Sequence, residues 1–218
     1  GKTSTAKLIE RVLSGTQRET RLAGKVDCPV CDTVVESKEL DYLILAVNSF
    51  QLELTQFFSS TVAVLTNIDP DHMDHYGSME EYVKAKSRIF ANQQPFDWAI
   101  IQSEALAQIR SLGIEIQSKI ITFSSSNRRA DIYLDRGLIV SRVPGWEGPL
   151  LDFNECQLQG AHNAEIIMAA LAVGRVLRIP LEQSALVLRN HPALPHRCEF
   201  VAEIGGVSYI NDSRSTNV

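Results

Sequence analysis

Four short apolar runs bounded by polar residues constrain the fold more than any other feature: Tyr42 to Val47, Val62 to Asn67, Trp98 to Gln102 and Lys119 to Phe123. Runs of this length and composition mark β-strands. Helical stretches lie between most of them. From Ser4 to Leu13, Ala6, Leu8, Ile9 and Val12 form one apolar stripe, and Met79 to Phe90 carries Tyr82, Val83, Ile89 and Phe90 opposite its charges. Strands alternating with helices predict an α/β fold whose sheet is mostly parallel, with flanking helices.

The pattern changes at Asp131. Short extended pieces run to Leu158, punctuated by Arg136-Gly137 and Pro144-Gly145, and predict hairpins at the sheet's edge. Ala161 to Leu177 is alanine-rich and apolar on most sides, which predicts a buried helix, and Leu181 to Arg189 starts a further helix just after Pro180. His191-Pro192-Ala193-Leu194-Pro195 reads as a stiff connector with a domain boundary near Pro192. Glu199 to Ile204, Gly205-Gly206 and Val207 to Asn211 then read as a hairpin.

With 218 residues, 44% of them hydrophobic, the chain has ample material for a core. Its 21 Lys and Arg against 26 Asp and Glu leave a net charge of −5, so there is no overall basic field to gather nucleic acid or anionic lipid. No apolar run approaches the roughly 20 residues that span a bilayer, and Gly1 to Arg11 has no signal-peptide character. These features predict a cytoplasmic protein without nucleic-acid or membrane partners. Cys28-Pro29-Val30-Cys31 has the spacing of a redox or half-zinc motif, but Cys156 and Cys198 supply no second pair, and free thiols are expected.

Several polar constellations can carry chemistry. Gly1-Lys2-Thr3-Ser4-Thr5 matches the end of a P-loop, G-x-x-x-x-G-K-S/T, and runs straight into a helix. In that setting backbone N–H groups hold phosphate oxygens, the lysine neutralises phosphate charge and the hydroxyl meets Mg²⁺; an ordinary polar helix start is the alternative. Asn67 to His75 places aspartates and histidines where a predicted strand ends, the side of an open sheet on which ligands bind. Such donors suit a cation bound to phosphates, or merely cap a turn. Lys84 and Lys86 project about 200° apart on a helix, so at most one faces a site. Gly160-Ala161-His162-Asn163 opens the buried helix; Leu194-Pro195-His196-Arg197 and Asn211-Asp212-Ser213-Arg214-Ser215-Thr216-Asn217 close the chain.

In order and spacing these strings resemble the Mur ligases. Ser49-Phe50-Gln51-Leu52-Glu53 is similar to the string found in the members that add D-glutamate, and the D-H-M-D, Y-x-x-A-K-x-R-I, G-x-H-N, L-P-H-R and N-D-S-x-x-T-N strings follow in family order. The resemblance implies a central ATPase domain over residues 1–191, lacking the strand before its P-loop, and the opening hairpin of a Rossmann-like C-terminal domain over 192–218. Omitting that strand should expose apolar edge and make an isolated fragment poorly stable. The implied reaction is ATP-dependent addition of D-glutamate to UDP-N-acetylmuramoyl-L-alanine through an acyl phosphate, in peptidoglycan precursor synthesis, with ATP and Mg²⁺ as cofactors. By the same resemblance Gly1, Lys2 and Thr3 hold phosphates. Thr3, His72 and Lys86 hold the metal, Lys86 as a carbamate, and Lys2, His72 and Lys86 form the catalytic set. Asn163, Arg197 and Asp212 contact the nucleotide; Asn48, Ser49 and Thr216 contact substrate. Carbamylation needs the neutral amine, so a lowered Lys86 pKa is expected.

The chain also departs from the family pattern. Ala46 stands where an acidic metal ligand is usual, Asn48 where a serine is usual, and Gly24-Lys25-Val26-Asp27 replaces a commoner G-N-x-G. Ile166 replaces a second adenine-contacting asparagine, and Arg214 a lysine. These changes keep open a weakly active or inactive homologue that binds nucleotide or a partner, a ligase for another amino acid, and a nucleotide-binding module without ligase activity.

Overall fold

A computed structural model describes residues 1–16, 18–24, 28–37, 39–192, 195–196 and 199–213. The chain begins with α1 (Lys2–Ser14) and continues through β1 (Thr20–Gly24), α2 (Val30–Glu36), β2 (Tyr42–Ala46) and α3 (Ser49–Glu53). Next come β3 (Val62–Leu65), α4 (Met79–Ser87), β4 (Trp98–Gln102), α5 (Ser103–Ser111) and β5 (Lys119–Ser124). Three edge strands follow, β6 (Ile132–Asp135), β7 (Leu138–Ser141) and β8 (Gly148–Asp152), then α6 (Ala161–Val176), α7 (Leu181–Arg189) and the hairpin β9 (Glu199–Ile204) and β10 (Val207–Asn211).

The largest sheet has the order β3-β4-β5-β6-β7-β8. Its first four strands run parallel and its last two return as antiparallel hairpins, which agrees with the mostly parallel α/β reading. β1 and β2 form a separate parallel pair. Side chains of β2 (Tyr42, Ile44) and β3 (Val62, Val64) pack on the same apolar cluster, yet these two strands share no ladder.

Two clusters sandwich the sheet. On one face α1, α6 and α7 pack over Ile100, Ile121 and Phe123; on the other α4 and α5 cover Ala63, Leu65, Ala99 and Ile101. β4 presents residues to both clusters, which is why its run is apolar at successive positions. The alanines of α6 let its neighbours come close on all sides, and every residue from Ile166 to Gly174 is buried. At Gly174 a Cβ would stand 2.9 Å from Ser184 Oγ and 3.1 Å from Val12 Cγ1, so α1, α6 and α7 meet there only because no side chain intervenes. The hairpin β9–β10 instead leaves Phe200, Ile204, Val207 and Ile210 exposed.

β1, α2, α3 and α5 were not among the expected elements. β1 has only two buried residues in five, Thr20 and Ala23, too few for an apolar pattern to stand out. The helix expected over Met79 to Phe90 is α-helical to Ser87 and tightens to a 3-10 turn over Arg88–Phe90.

Candidate functional site

The carboxyl ends of β3, β4 and β5, the start of α1 and the start of α6 meet around one cleft. A Cβ built on Gly1 would lie 3.6 Å from Thr66 Oγ1, just past β3, and 4.0 Å from His162 Cε1, at the head of α6. The first-turn N–H groups of α1 have no carbonyl four residues earlier, and they open beside the loop that follows β3. Thr5 Oγ1 donates to the Gly1 carbonyl at 3.1 Å, closing the turn on itself.

α4 delivers a lysine to this cleft. Ser78 caps the helix by accepting from the Glu81 N–H at 3.3 Å, and Glu81 reaches back to the Gly77 N–H at 3.0 Å. That start fixes the helical phase. Lys84 points to solvent, whereas Lys86 is half-buried, with its Nζ donating to the Asn67 carbonyl at 3.0 Å and lying 4.5 Å from the centre of the Tyr82 ring. Burial pushes the Lys86 pKa down to about 8; the charge of Lys2 adds to that, and Asp69 and Asp71 oppose it. Lys2, the 69–71 loop and Lys86 are therefore electrostatic neighbours.

His72 sits in the same loop with φ +57°, a conformation uncommon outside glycine, and its ring is 4.8 Å from that of Phe50. Its Nε2 lies 3.6 Å from Asp71 Oδ2. Phe50 also stacks with Tyr76 and meets His75 edge-on, and His75 Nε2 is 3.3 Å from Glu53 Oε2. The string Ser49 to Glu53 is thus a five-residue helix docked on the histidine loop. Asn48 and Gln51 form a reciprocal capping box at its start, and Arg88 Nε donates to the Leu52 carbonyl at its end. Asn48 is occupied with capping and Ser49 is 3% exposed.

Asn163 Nδ2 donates to the Gln159 carbonyl at 2.8 Å, bracing the head of α6. Asp212 is exposed just beyond β10. Lys25, Asp27, Arg197, Arg214 and Thr216 lie outside the described residues. Residues that the motifs did not flag complete the cleft. Gln102, Glu104, Gln108, Ser126 and Glu165 join Thr66, Asn67, Asp69 and His162 around a cavity of about 330 Å³. No motif marks them, although Gln102 ends β4, Glu104 opens α5 and Ser126 follows β5, the positions where ligands of open sheets sit.

Among the described residues no three His, Cys, Asp or Glu side chains converge to hold an ion. β2 ends at Ala46, which is 7% exposed and carries no donor. Thr3, His72 and Lys86 amount to a hydroxyl, an imidazole and an amine, a poor set for a hard cation unless phosphate oxygens or a carbamate complete it.

The parallel strands, with the head of α1, a histidine loop and the half-buried Lys86 around one cleft at their carboxyl ends, define an α/β domain with a ligand-sized cleft. A family model of the Mur ligase middle domain matches residues 1–174. The chain is 38% identical over 221 residues to the UDP-N-acetylmuramoylalanine--D-glutamate ligase of Acidobacterium capsulatum and 36% identical over 219 residues to that of Pelotomaculum thermopropionicum. Each match covers all of this chain and 48% of the relative. Among solved structures it resembles a MurF from Acinetobacter baumannii (TM-score 0.71, 21% identity, 97% of this chain and 48% of that one). It also resembles a MurF ligase from Thermotoga maritima in complex with ADP (TM-score 0.70, 17% identity, 97% and 51%). The chain belongs to the Mur ligase family. It spans about half the length of the curated relatives it matches. No helix among the described residues is long and apolar enough to cross a membrane.

Proposed function

We propose that this chain carries the nucleotide centre of an ATP-dependent ligase that joins D-glutamate to UDP-N-acetylmuramoyl-L-alanine in the cytoplasm. Residues 1–191 form the ATPase unit in this reading and 192–218 open a further domain, a division supported by the exposed apolar side chains of β9–β10. The observation that carries the proposal is the half-buried Lys86, held to Asn67 and coupled to Lys2 at the head of α1.

A carboxylate is a poor electrophile, and phosphorylation by ATP gives it a leaving group. The substrate carboxylate oxygen attacks the γ-phosphorus and ADP departs. The D-glutamate amine then adds to the acyl carbon, and phosphate leaves as the amide forms and the amine loses its proton. Gly1, Lys2 and Thr3 bind the phosphates through N–H groups, a cation and a hydroxyl. Thr3, His72 and a carbamylated Lys86 would hold Mg²⁺, which would neutralise phosphate charge when bound. The pKa of about 8 supports the carbamate, because the neutral amine is the form that reacts with CO₂. Asn163, Arg197 and Asp212 are assigned to the nucleotide, and Asn48, Ser49 and Thr216 to substrate.

The test is phosphate release from ATP by the full-length protein, dependent on both UDP-N-acetylmuramoyl-L-alanine and D-glutamate. Release that needs both supports the ligase. The donor-free end of β2 at Ala46 favours a second reading, a homologue that binds nucleotide with little turnover. Nucleotide binding without release above background would select it.

A further inference from the structure

The cavity beyond the head of α1 has a charge character opposite to that of the phosphate end. Asp69, Glu104 and Glu165 line it, and its described lining includes no lysine or arginine. The cations Lys2 and Lys86 act on one another and neither lines the cavity. Yet the two regions adjoin, because Gly1 abuts Thr66 and His162, both of which face the cavity. A nucleotide with its phosphates beside the lysines would turn its base, not a phosphate, into this acceptor-rich space.

Within the cavity one carboxylate is fixed and half used. Glu165 Oε1 accepts from the Ser125 N–H at 3.0 Å and from the Ser125 hydroxyl at 2.9 Å, which ties α6 to the serine loop after β5. No described residue donates to its Oε2. Glu104 differs: Ser124, Ser126 and Gln102 engage both of its oxygens. Ile68 and Ile166, 3% and 2% exposed, contribute apolar surface suited to the flat face of a base. The volume of about 330 Å³ is within the range of small-molecule sites.

We propose that Glu165 is a base-selecting residue, its Oε2 accepting the exocyclic amine of adenine so that the site prefers a 6-amino purine to a 6-oxo purine. The proposal rests on the nucleotide reading above and deepens it. An oxo group facing the carboxylate loses a charge-assisted hydrogen bond and sets two acceptors against each other.

The experiment compares binding of ATP and inosine triphosphate to the full-length protein and to Glu165→Gln by calorimetry. The wild type is expected to prefer ATP by about tenfold or more. In Glu165→Gln, whose amide can donate to the 6-oxo group, the ratio should fall towards one, mostly through weaker ATP binding. A variant that is merely damaged would lose affinity for both nucleotides equally and keep the ratio, and that result overturns the proposal. Equal binding of both nucleotides by the wild type overturns it too, while leaving the nucleotide site standing. Absence of binding by either nucleotide overturns both.

Discussion

The ammonium of Lys86 donates to the backbone carbonyl of Asn67 at 3.0 Å, tying the middle helix to the loop that leaves β3. These residues are 19 apart in sequence, and the contact seats a cation within range of Lys2, Asp69 and Asp71. Its partial burial lowers its proton affinity.

Lys86 should therefore titrate near pH 8, not near the ordinary 10.5. The unfolded chain holds the proton up to about 10.5 and the folded chain sheds it near 8, so this site's contribution to stability rises with pH across that window. Below about 8 the penalty for burying the charge is carried in full. Competitive acetylation with trace reagent, followed residue by residue against pH, should give a midpoint near 8; a midpoint at the ordinary lysine value would refute the burial argument.

Gly24 is required by geometry. Its φ is +105°, and a Cβ would stand 2.5 Å from the carbonyl oxygen of Ala46 across the β1–β2 ladder. Gly24→Ala should cost about 1–3 kcal/mol from backbone strain alone, with the clash added. A lowered denaturant midpoint at unchanged slope is the expected reading, and an unchanged midpoint would show that the approach of the two strands can relax freely.

Ala46→Glu places a carboxylate at a position that is 7% exposed. Without a cation beside it, burial should destabilise the fold by about 1–3 kcal/mol, seen as a lower melting temperature. Mg²⁺ with ATP should restore the melting temperature more in the variant than in the parent, because an ion that binds only the folded state stabilises it by linkage. Equal shifts in the two proteins would mean that position 46 does not address the metal.

His191 is 2% exposed, and its Nδ1 has no hydrogen-bond partner among the described residues. Burial, then the charge of Arg11, hold its pKa below 6.5. The unfolded chain takes up a proton near 6.5 while the folded chain resists it, so stability falls as pH drops through 6.5 and continues to fall until the folded value is reached. His191→Leu should flatten the melting temperature between about pH 7 and about pH 5. The same acid slope in both proteins would assign the effect to other groups.

What the sequence determined by itself was the local order: strands where apolar runs are short and bounded, edge hairpins at Arg136-Gly137 and Pro144-Gly145, the buried alanine-rich helix, and the motifs that place the chain among Mur ligases. Periodicity and turn chemistry act over a few neighbours, so one chain suffices to read them. β1 and α3 escaped that reading. The first has too little apolar pattern, and the second is five residues held by an Asn48–Gln51 capping box that N-x-x-Q spacing could have signalled.

Tertiary structure decided the rest. It turned Lys86 inward and left Lys84 in water, gave Asn48 a capping role, and brought Glu104 from α5 and Glu165 from α6 to one cavity. Which side chains share a cleft depends on how elements far apart in sequence pack across the sheet, and a carboxylate pair 61 residues apart leaves no local pattern to read. Burial and neighbouring charge also set the Lys86 pKa, and both exist only once the chain has folded.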